Sequence, residues 1–372
     1  MADRLLIGID ARELQGRPTG TGRYLRNLLR EWQKTGDIFL AYVDGPPPLD
    51  PVLDHPNIRP RSLGRGGTRG LVWRERLLPP VVLADAPDVF FSPAYSCPLR
   101  LDLPRVTAVH DLSFFSHPQD FPLLDGLRRR LLTALSLRAS RAILVCSDFT
   151  RRELIARFPD LAPAAVLVPL GRDEDLPPSP PREEARRRLS VQGPYVITVG
   201  AILNRRCLPE LLHAVARLVP RHPGLVLDVV GENRTHPRLD LPALVARLGL
   251  QGSVHISGFV SDPAVVDRYA AADAAVFLSE YEGFGLPAME AAARGVPLVV
   301  SREPSLGEIF TSAALRVSPR DEGAVASALD RLLRDSALRR RLIDAGRDLA
   351  ARHSWAETAA RTRAVLGRAA RR

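Results

Sequence analysis

The chain has 372 residues, too many for one compact core and enough for two domains of ~150–200 residues each. Its hydrophobic share is 45% and its charged share 25%, a globular rather than disordered mix, and no run reaches the ~18 apolar residues of a membrane-spanning helix. The net charge is +10 with Lys34 as the only lysine, which leaves no Schiff-base lysine for a pyridoxal-phosphate enzyme and no Gly-Lys-Ser/Thr of a P-loop, while the excess of arginine suits an anionic partner.

Cys97, Cys146 and Cys207 are odd in number and scattered, against both a disulfide framework and a cysteine-rich metal site. The opening MADRLLIGID lacks the apolar core of a signal peptide, so a cytoplasmic placement is expected.

The pattern is strand, loop, helix, repeated. Leu5–Ile9 reads as a buried parallel strand. Gly20-Thr21-Gly22 then opens a helix with Leu25, Leu28, Leu29 and Trp32 on one stripe. Strands are expected at Phe39–Val43, Val89–Phe91, Val106–Val109, Ala142–Val145 and Val166–Leu170, and helices over Leu123–Leu137 and Asp148–Phe158, the latter capped by Ser147. The proline-rich, charged stretch 172–192 reads as an interdomain linker with nothing to bury and a short helix at Arg182–Leu189. A second alternation follows. Its strands are Tyr195–Val199, Leu225–Val230, Val254–Ile256, Ala275–Leu278, Leu298–Val300 and Leu315–Val317. Its helices are Leu208–Val219, Leu241–Leu248, Pro263–Ala272, Leu286–Arg294, Glu322–Leu333, Ser336–Arg352 and Trp355–Arg368. Two doubly wound α/β domains in tandem are therefore predicted, 1–171 and 193–352, with ligands at the carboxyl ends of their strands.

The most informative stretch is SEYEGFGLPAMEAAARGVPLVV, residues 279–300. A strand ends at Ser279, a loop carries Glu282 between tight-turning glycines, and Leu286-Pro287 starts a helix bearing Glu290. That helix start offers free N–H groups to a diphosphate, and a carboxylate nearby could hold a vicinal diol such as ribose. Glu290 and Arg294 are also spaced as an ordinary i, i+4 surface pair. Arg205-Arg206 and His110-Asp111 each follow a strand. The arginines are either a solvated loop or a phosphate clamp, and the histidine either a group satisfied by local backbone or a site residue. Gly20-Thr21-Gly22 has Leu25 at the third glycine position of a dinucleotide fingerprint, which weakens a nicotinamide or flavin assignment. The eight histidines form no HExxH pattern and no convincing Asp-x-Asp follows a strand, so no metal is expected.

The 279–300 segment resembles the E-x7-E signature of retaining GT-B glycosyltransferases, in detail glycosyltransferase family 4. VHISGFV before it, PSLGEI after it, and GRPTGTGRYLRNLL, VHDLSFFSHPQDF and VCSDFTRREL in the first half keep the same order as in bacterial members. The resemblance implies a GT-B fold with the two domains facing a central cleft, the acceptor on the first and the donor on the second, and a last segment 353–372 that crosses back to the first. It implies a retaining, metal-independent hexosyl transfer from a GDP- or UDP-linked sugar to a sugar or lipid-linked acceptor, in surface polysaccharide or glycolipid synthesis, with no cofactor. Glu282 matches the acid against the donor sugar, Glu290 the acid on the ribose, and Phe284, Gly285 and Leu286 the amides facing sugar or phosphates. Arg205 and Arg206 match an Arg-Lys diphosphate clamp, with arginine in place of lysine at the second position. His110, with Asp111 beside it, matches the histidine on the sugar hydroxyls, and Gly20 and Gly22 the loop close to the acceptor.

Each half of the chain carries +5, and Arg59–Arg76 and the helix around Arg128–Arg130 interleave arginine with leucine. Those two segments form either a face for an anionic membrane or lipid-phosphate acceptor, peripheral on its inner side, or a solvated loop and a normal amphipathic helix. The rival functions are a catalytically inactive nucleotide-sugar-binding relative and a basic nucleic-acid-binding protein. The second is disfavoured by 6% aromatics and the absence of a reader motif.

Overall fold

The computed structural model describes residues 4–16, 19–64, 66–68, 70–173, 177–302 and 305–371. Contacts divide the chain into two compact units. Unit 1 comprises Met1–Phe115, Leu124–Gly171 and Ser354–Arg372, and unit 2 comprises Ser116–Leu123 and Arg172–His353.

In unit 1, β1 (Leu6–Asp10), β2 (Ile38–Asp44), β3 (Ile58–Leu63), β4 (Val89–Ser92), β5 (Arg105–Val109), β6 (Ala142–Val145) and β7 (Ala165–Leu167) form one parallel sheet in the order β3-β2-β1-β4-β5-β6-β7. Ile7 pairs with Phe39 on one side and Val89 on the other. Central strands such as VFFS of β4 are buried throughout, as a sheet covered on both faces requires. Helix α1 (Gly20–Trp32) lays Leu25, Leu28, Leu29 and Trp32 on the sheet, and Trp32 stacks on Phe39 with ring centroids 5.0 Å apart. The strand β3 was not predicted. It lies at the sheet edge, where Pro60 and the exposed arginines of IRPRSL are tolerated. Residues 70–85 run helically through a wider turn at Trp73–Leu77 into α2 (Leu78–Asp85). The basic stretch Arg59–Arg76 is thus part strand and part helix rather than a loop; its Arg65 and Arg69 lie outside the described residues. Helix α3 (Leu123–Arg138) and α4 (Asp148–Arg157) follow, and the Ser147 hydroxyl accepts the Thr150 N–H at the start of α4.

Unit 2 repeats the plan. Its strands β8 (Tyr195–Val199), β9 (Val226–Val230), β10 (Val254–Ser257), β11 (Ala274–Phe277), β12 (Leu298–Ser301) and β13 (Ala314–Val317) are parallel in the order β10-β9-β8-β11-β12-β13. The helices are α5 (Arg182–Arg188), α6 (Leu208–Leu218), α7 (Leu241–Arg247), α8 (Asp262–Ala271), α9 (Leu286–Ala293), α10 (Ser305–Ile309), α11 (Glu322–Arg334) and α12 (Ser336–Ala351). In both sheets the strand order reverses beside the first strand, between β1 and β4 and between β8 and β11, and that reversal opens a crevice at the strands' carboxyl ends.

The stretch 172–192 differs from the linker expected of it. It belongs to unit 2, buries Ala185 completely, and fixes Arg182 and Arg186 on Asp273 at 2.6 and 3.3 Å. Hydrogen bonds to the Ala271 and Ala272 carbonyls explain how so polar a segment packs: its arginines satisfy the end of α8. Glu174, Asp175 and Leu176 lie outside the described residues.

The last helix, α13 (Trp355–Ala370), is part of unit 1. Trp32 Nε1 donates to the Ala359 carbonyl, and Arg363 grips the buried carboxylate of Asp37, which also accepts the Leu5 N–H. Among the described residues no helix is long and apolar enough to cross a membrane.

Candidate donor site and its neighbours

The crevice of unit 2 is a hollow between the loops after β8 and β11, about 530 Å3 with its open solvent included. Thr198, Gly200 and Ile202 line one wall, and Leu278, Ser279, Glu282 and Gly285 the other. Its polar centre is an ion pair, Arg206 Nη2 to Glu282 Oε2 at 3.0 Å, with both side chains about one-fifth exposed.

Local structure sets that pair. The turn Asn204–Arg206 ends at Cys207, whose left-handed backbone (φ 47°) starts α6. Gly200 has φ 126°, and a Cβ there would stand 2.1 Å from Arg206 Nη1. The guanidinium lies on bare backbone, which only glycine supplies. Across the hollow, the Glu280 N–H donates to the Arg205 carbonyl at 2.8 Å, tying the two loops together. Arg320 holds the Glu280 carboxylate with 2.6 and 2.7 Å bonds. Ser305 Oγ donates to the Glu282 carbonyl at 2.6 Å, so the PSLGEI segment braces the loop; its Pro304 lies outside the described residues. Gly285, at φ 87°, precedes α9, whose first turn carries Pro287. Burial, with Glu210 and Glu280 near, pushes the Cys207 thiol up to about 12.

The other predicted residues are distributed around this centre. The Glu290 side chain is buried at 5% exposure, not part of a surface pair, and it does not line the hollow. Burial lowers the Arg294 guanidinium in pKa against the opposing charge of Glu290, and Arg294 bonds to the Pro177 carbonyl and Ser179 Oγ. Phe284 packs its ring against His353 at 5.8 Å; neither it nor Leu286 is on the lining. Arg205 diverges from its neighbour. Its guanidinium is 10% exposed and sits 4.0 Å from Asp120, a carboxylate that burial raises in pKa against the pull of Arg205. Two adjacent arginines therefore point to different places, as consecutive residues of a tight turn must.

In unit 1, His110 follows β5. Its Nε2–H donates to the Pro93 carbonyl at 2.8 Å, and burial lowers its pKa. The ring sits between the edges of Tyr24 and Tyr95 at 4.8 and 6.0 Å. Asp111 turns to local backbone, accepting from the N–H and Oγ of Ser113 at 2.9 Å. Gly22 is needed where α1 starts, since a Cβ would meet the Glu13 carbonyl at 2.3 Å; at Gly20 there is open space. Arg17 and Pro18 of that motif lie outside the described residues. Among the described residues no group of three or more His, Cys, Asp or Glu is placed to hold a metal ion.

Sequence reasoning missed Gly200, Ser305 and a second hollow, in unit 1. The last is lined from five separate segments by residues that include Arg12, Glu13, Arg74, Tyr95, Phe114 and Arg129. The only local signal was a strand ending in Asp10 with Arg12 two positions on.

A family model described as Glycosyltransferase Family 4 matches residues 18–176, and one described as Glycosyl transferases group 1 matches residues 181–349. The chain is 30% identical to the O-antigen chain mannosyltransferase B of Escherichia coli over 359 residues, covering 91% of this chain and 93% of that one. It is 35% identical to the MMP alpha-(1->4)-mannosyltransferase of Mycolicibacterium hassiacum over 233 residues, 61% of this chain and 54% of that one. Among solved structures, sucrose-phosphate synthase from Thermosynechococcus elongatus superposes with a TM-score of 0.81 at 21% identity, covering 97% of this chain and 98% of that one.

Proposed function

The chain belongs to glycosyltransferase family 4, and from that membership we propose that it moves a hexosyl group from a nucleotide-sugar, bound in the hollow of unit 2, to an acceptor hydroxyl with retention at the anomeric carbon. The bond from that carbon to the diphosphate oxygen breaks, the bond to the acceptor oxygen forms on the same face, and a leaving-phosphate oxygen takes the acceptor's proton. Positive charge grows on the sugar as negative charge grows on the diphosphate. The observation that carries the reading is the Arg206–Glu282 pair at the centre of the crevice. Arg206 would stabilise the departing diphosphate, with the N–H groups at the starts of α6 and α9 beside it, and Glu282 would orient the sugar. Glu290 would hold the ribose, Phe284, Gly285 and Leu286 would contribute backbone, and His110 would meet the sugar hydroxyls as a neutral imidazole. Arg205 serves as the outer member of the clamp and Asp111 as the brace of the His110 loop. Gly20 and Gly22 open the acceptor side. No cofactor or metal enters this scheme.

Two relatives carry mannosyltransferase names, so mannose heads the donor panel, and surface polysaccharide or glycolipid is the product class. The proposed place of work is the cytoplasm, peripheral on an anionic membrane face, a contact supported by the exposed leucines that α3 sets among Arg128, Arg129 and Arg130. Saturation-transfer NMR with GDP- and UDP-linked sugars, followed by transfer assays in EDTA, tests the scheme. Binding of one donor that Arg206→Ala weakens at least tenfold is the expected result. No binding by any member of the panel, or activity that EDTA abolishes and magnesium restores, would overturn it.

A further inference from the structure

The hollow of unit 1 opens at the carboxyl ends of β1 and β4, where that sheet's strand order reverses. It encloses about 980 Å3, solvent-open space included. Four guanidinium groups line it, those of Arg12, Arg74, Arg128 and Arg129, against the two carboxylates of Asp10 and Glu13.

The guanidinium groups are held from behind. Arg12 lies over the Trp73 ring at 4.0 Å and takes both oxygens of Asp10 at 2.9 and 2.6 Å. Arg74 is 8% exposed. It donates to Ser96 Oγ and, at 3.2 Å, to Glu75 Oε1, while the other oxygen of Glu75 accepts the Leu99 N–H. Nη2 of Arg74 makes no hydrogen bond among the described residues. Arg128 and Arg129 share the single carboxylate of Asp125, each through one oxygen at 2.7 Å. Tyr95 rims the hollow with φ 49°, a left-handed strain that in non-glycine residues gathers at ligand sites.

A buried guanidinium with an open edge, facing a polar hollow beside two half-exposed guanidinium groups, is matched by one ligand chemistry above others. A phosphoryl group presents several acceptor oxygens to planar forks. We propose that this hollow binds the phosphoryl group of the acceptor, which is therefore a phosphorylated or phosphate-linked molecule. The assignment rests on the reading of the chain as a transferase whose acceptor is taken by unit 1. On the helix that carries Arg128 and Arg129, Leu124, Leu127, Leu131 and Leu135 form an exposed stripe, apolar surface of the kind a lipid chain would cover.

Calorimetric titration with inorganic pyrophosphate on the full Arg206→Ala chain, whose donor-side grip is removed, tests the phosphoryl site. The same titration follows on that chain with Arg128→Ala and Arg129→Ala added. Both arginines are about half exposed, and unchanged circular dichroism confirms that the fold survives. A dissociation constant at least tenfold weaker in the triple variant is expected. Equal affinity in the two chains, or no pyrophosphate binding to Arg206→Ala alone, would overturn the proposal. Failure of the donor reading is separately visible, as an Arg206→Ala chain that binds nucleoside diphosphate like the wild type. Flotation with phosphatidylcholine vesicles with and without polyprenyl phosphate then identifies the source. Capture that requires polyprenyl phosphate marks a lipid-linked acceptor. Displacement of pyrophosphate by mannose 6-phosphate without vesicle capture marks a soluble one, and neither result would overturn a phosphoryl acceptor.

Discussion

Replacing Gly200 with alanine perturbs the donor hollow through a residue that has no functional group of its own. The added Cβ would stand 2.1 Å from Arg206 Nη1, whereas real contacts stay beyond 3.0 Å, so the guanidinium has to retreat by at least the 0.9 Å between those distances. It now sits 3.0 Å from Glu282, and a displacement of that size takes it away from any oxygen it would share with a bound diphosphate. Losing one charge-assisted hydrogen bond costs ~1.5–3 kcal/mol, a nucleoside-diphosphate dissociation constant roughly 10–150-fold weaker. The backbone adds a separate cost. A side chain at φ 126° is strained by ~1–3 kcal/mol, which for a unit of this size lowers the melting temperature by roughly 2–12 °C. Calorimetry with GDP and UDP, run beside thermal unfolding, separates the two effects. Gly258→Ala is the control, because its Cβ meets nothing within 4 Å and its backbone is not left-handed; it should match the wild type in both measurements. A folded Gly200→Ala chain that binds nucleoside diphosphate within twofold of the wild type would refute the account of how Arg206 is placed.

The divergence of the two arginines predicts unequal effects: Arg206→Ala should weaken nucleoside-diphosphate binding by ~1.5–3 kcal/mol and Arg205→Ala by less, with the reverse order in calorimetry counting against the geometry. Glu282→Ala should reduce turnover at least a hundredfold with an unchanged circular dichroism spectrum, and near-wild-type rates would remove it from the mechanism. Burial lowers the His110 pKa below its ordinary 6.5, so below that pH the unfolded chain binds the proton the folded chain refuses, and stability falls on acidification. Melting temperatures between pH 7 and pH 5 should drop less steeply in His110→Gln, and parallel curves would show that another group is responsible. With its thiol at about 12, Cys207 is almost wholly protonated at pH 8, so iodoacetamide followed by peptide mass spectrometry should leave it unmodified until the chain is unfolded.

The strands and helices were legible wherever burial imposed a period. The β4 run and the α1 stripe each announce the surface they cover. Ile58–Leu63 was not legible, because an edge strand has one unpaired side and tolerates the proline and arginines that argue against a strand inside a sheet. The stretch 172–192 misled for a related reason: its polar side chains pack by hydrogen bonding to helix ends, and no hydrophobic pattern records that. For the site, motif spacing located Glu282 and the arginine turn, since both sit on loops fixed by neighbouring strands. Spacing could not tell which of Arg205 and Arg206 faces the hollow, because that depends on the left-handed Cys207 and on the missing side chain at Gly200. The unit 1 hollow is assembled from positions far apart in the chain, so no window of sequence contains it.

The placement of α13 sets a timetable for synthesis. Unit 1 needs a segment that begins at Ser354, yet its sheet is complete by Gly171, and at ribosomal speeds of ~5–20 residues per second the delay is roughly 10–35 s. Throughout that interval the Asp37 carboxylate lacks Arg363 and Trp32 lacks its cover from Ala359. The nascent polypeptide thus carries a half-built surface while all of unit 2 is translated, which makes it a natural client for ribosome-associated chaperones. Its yield in a cell should depend on their supply more than that of a protein whose domains close in order.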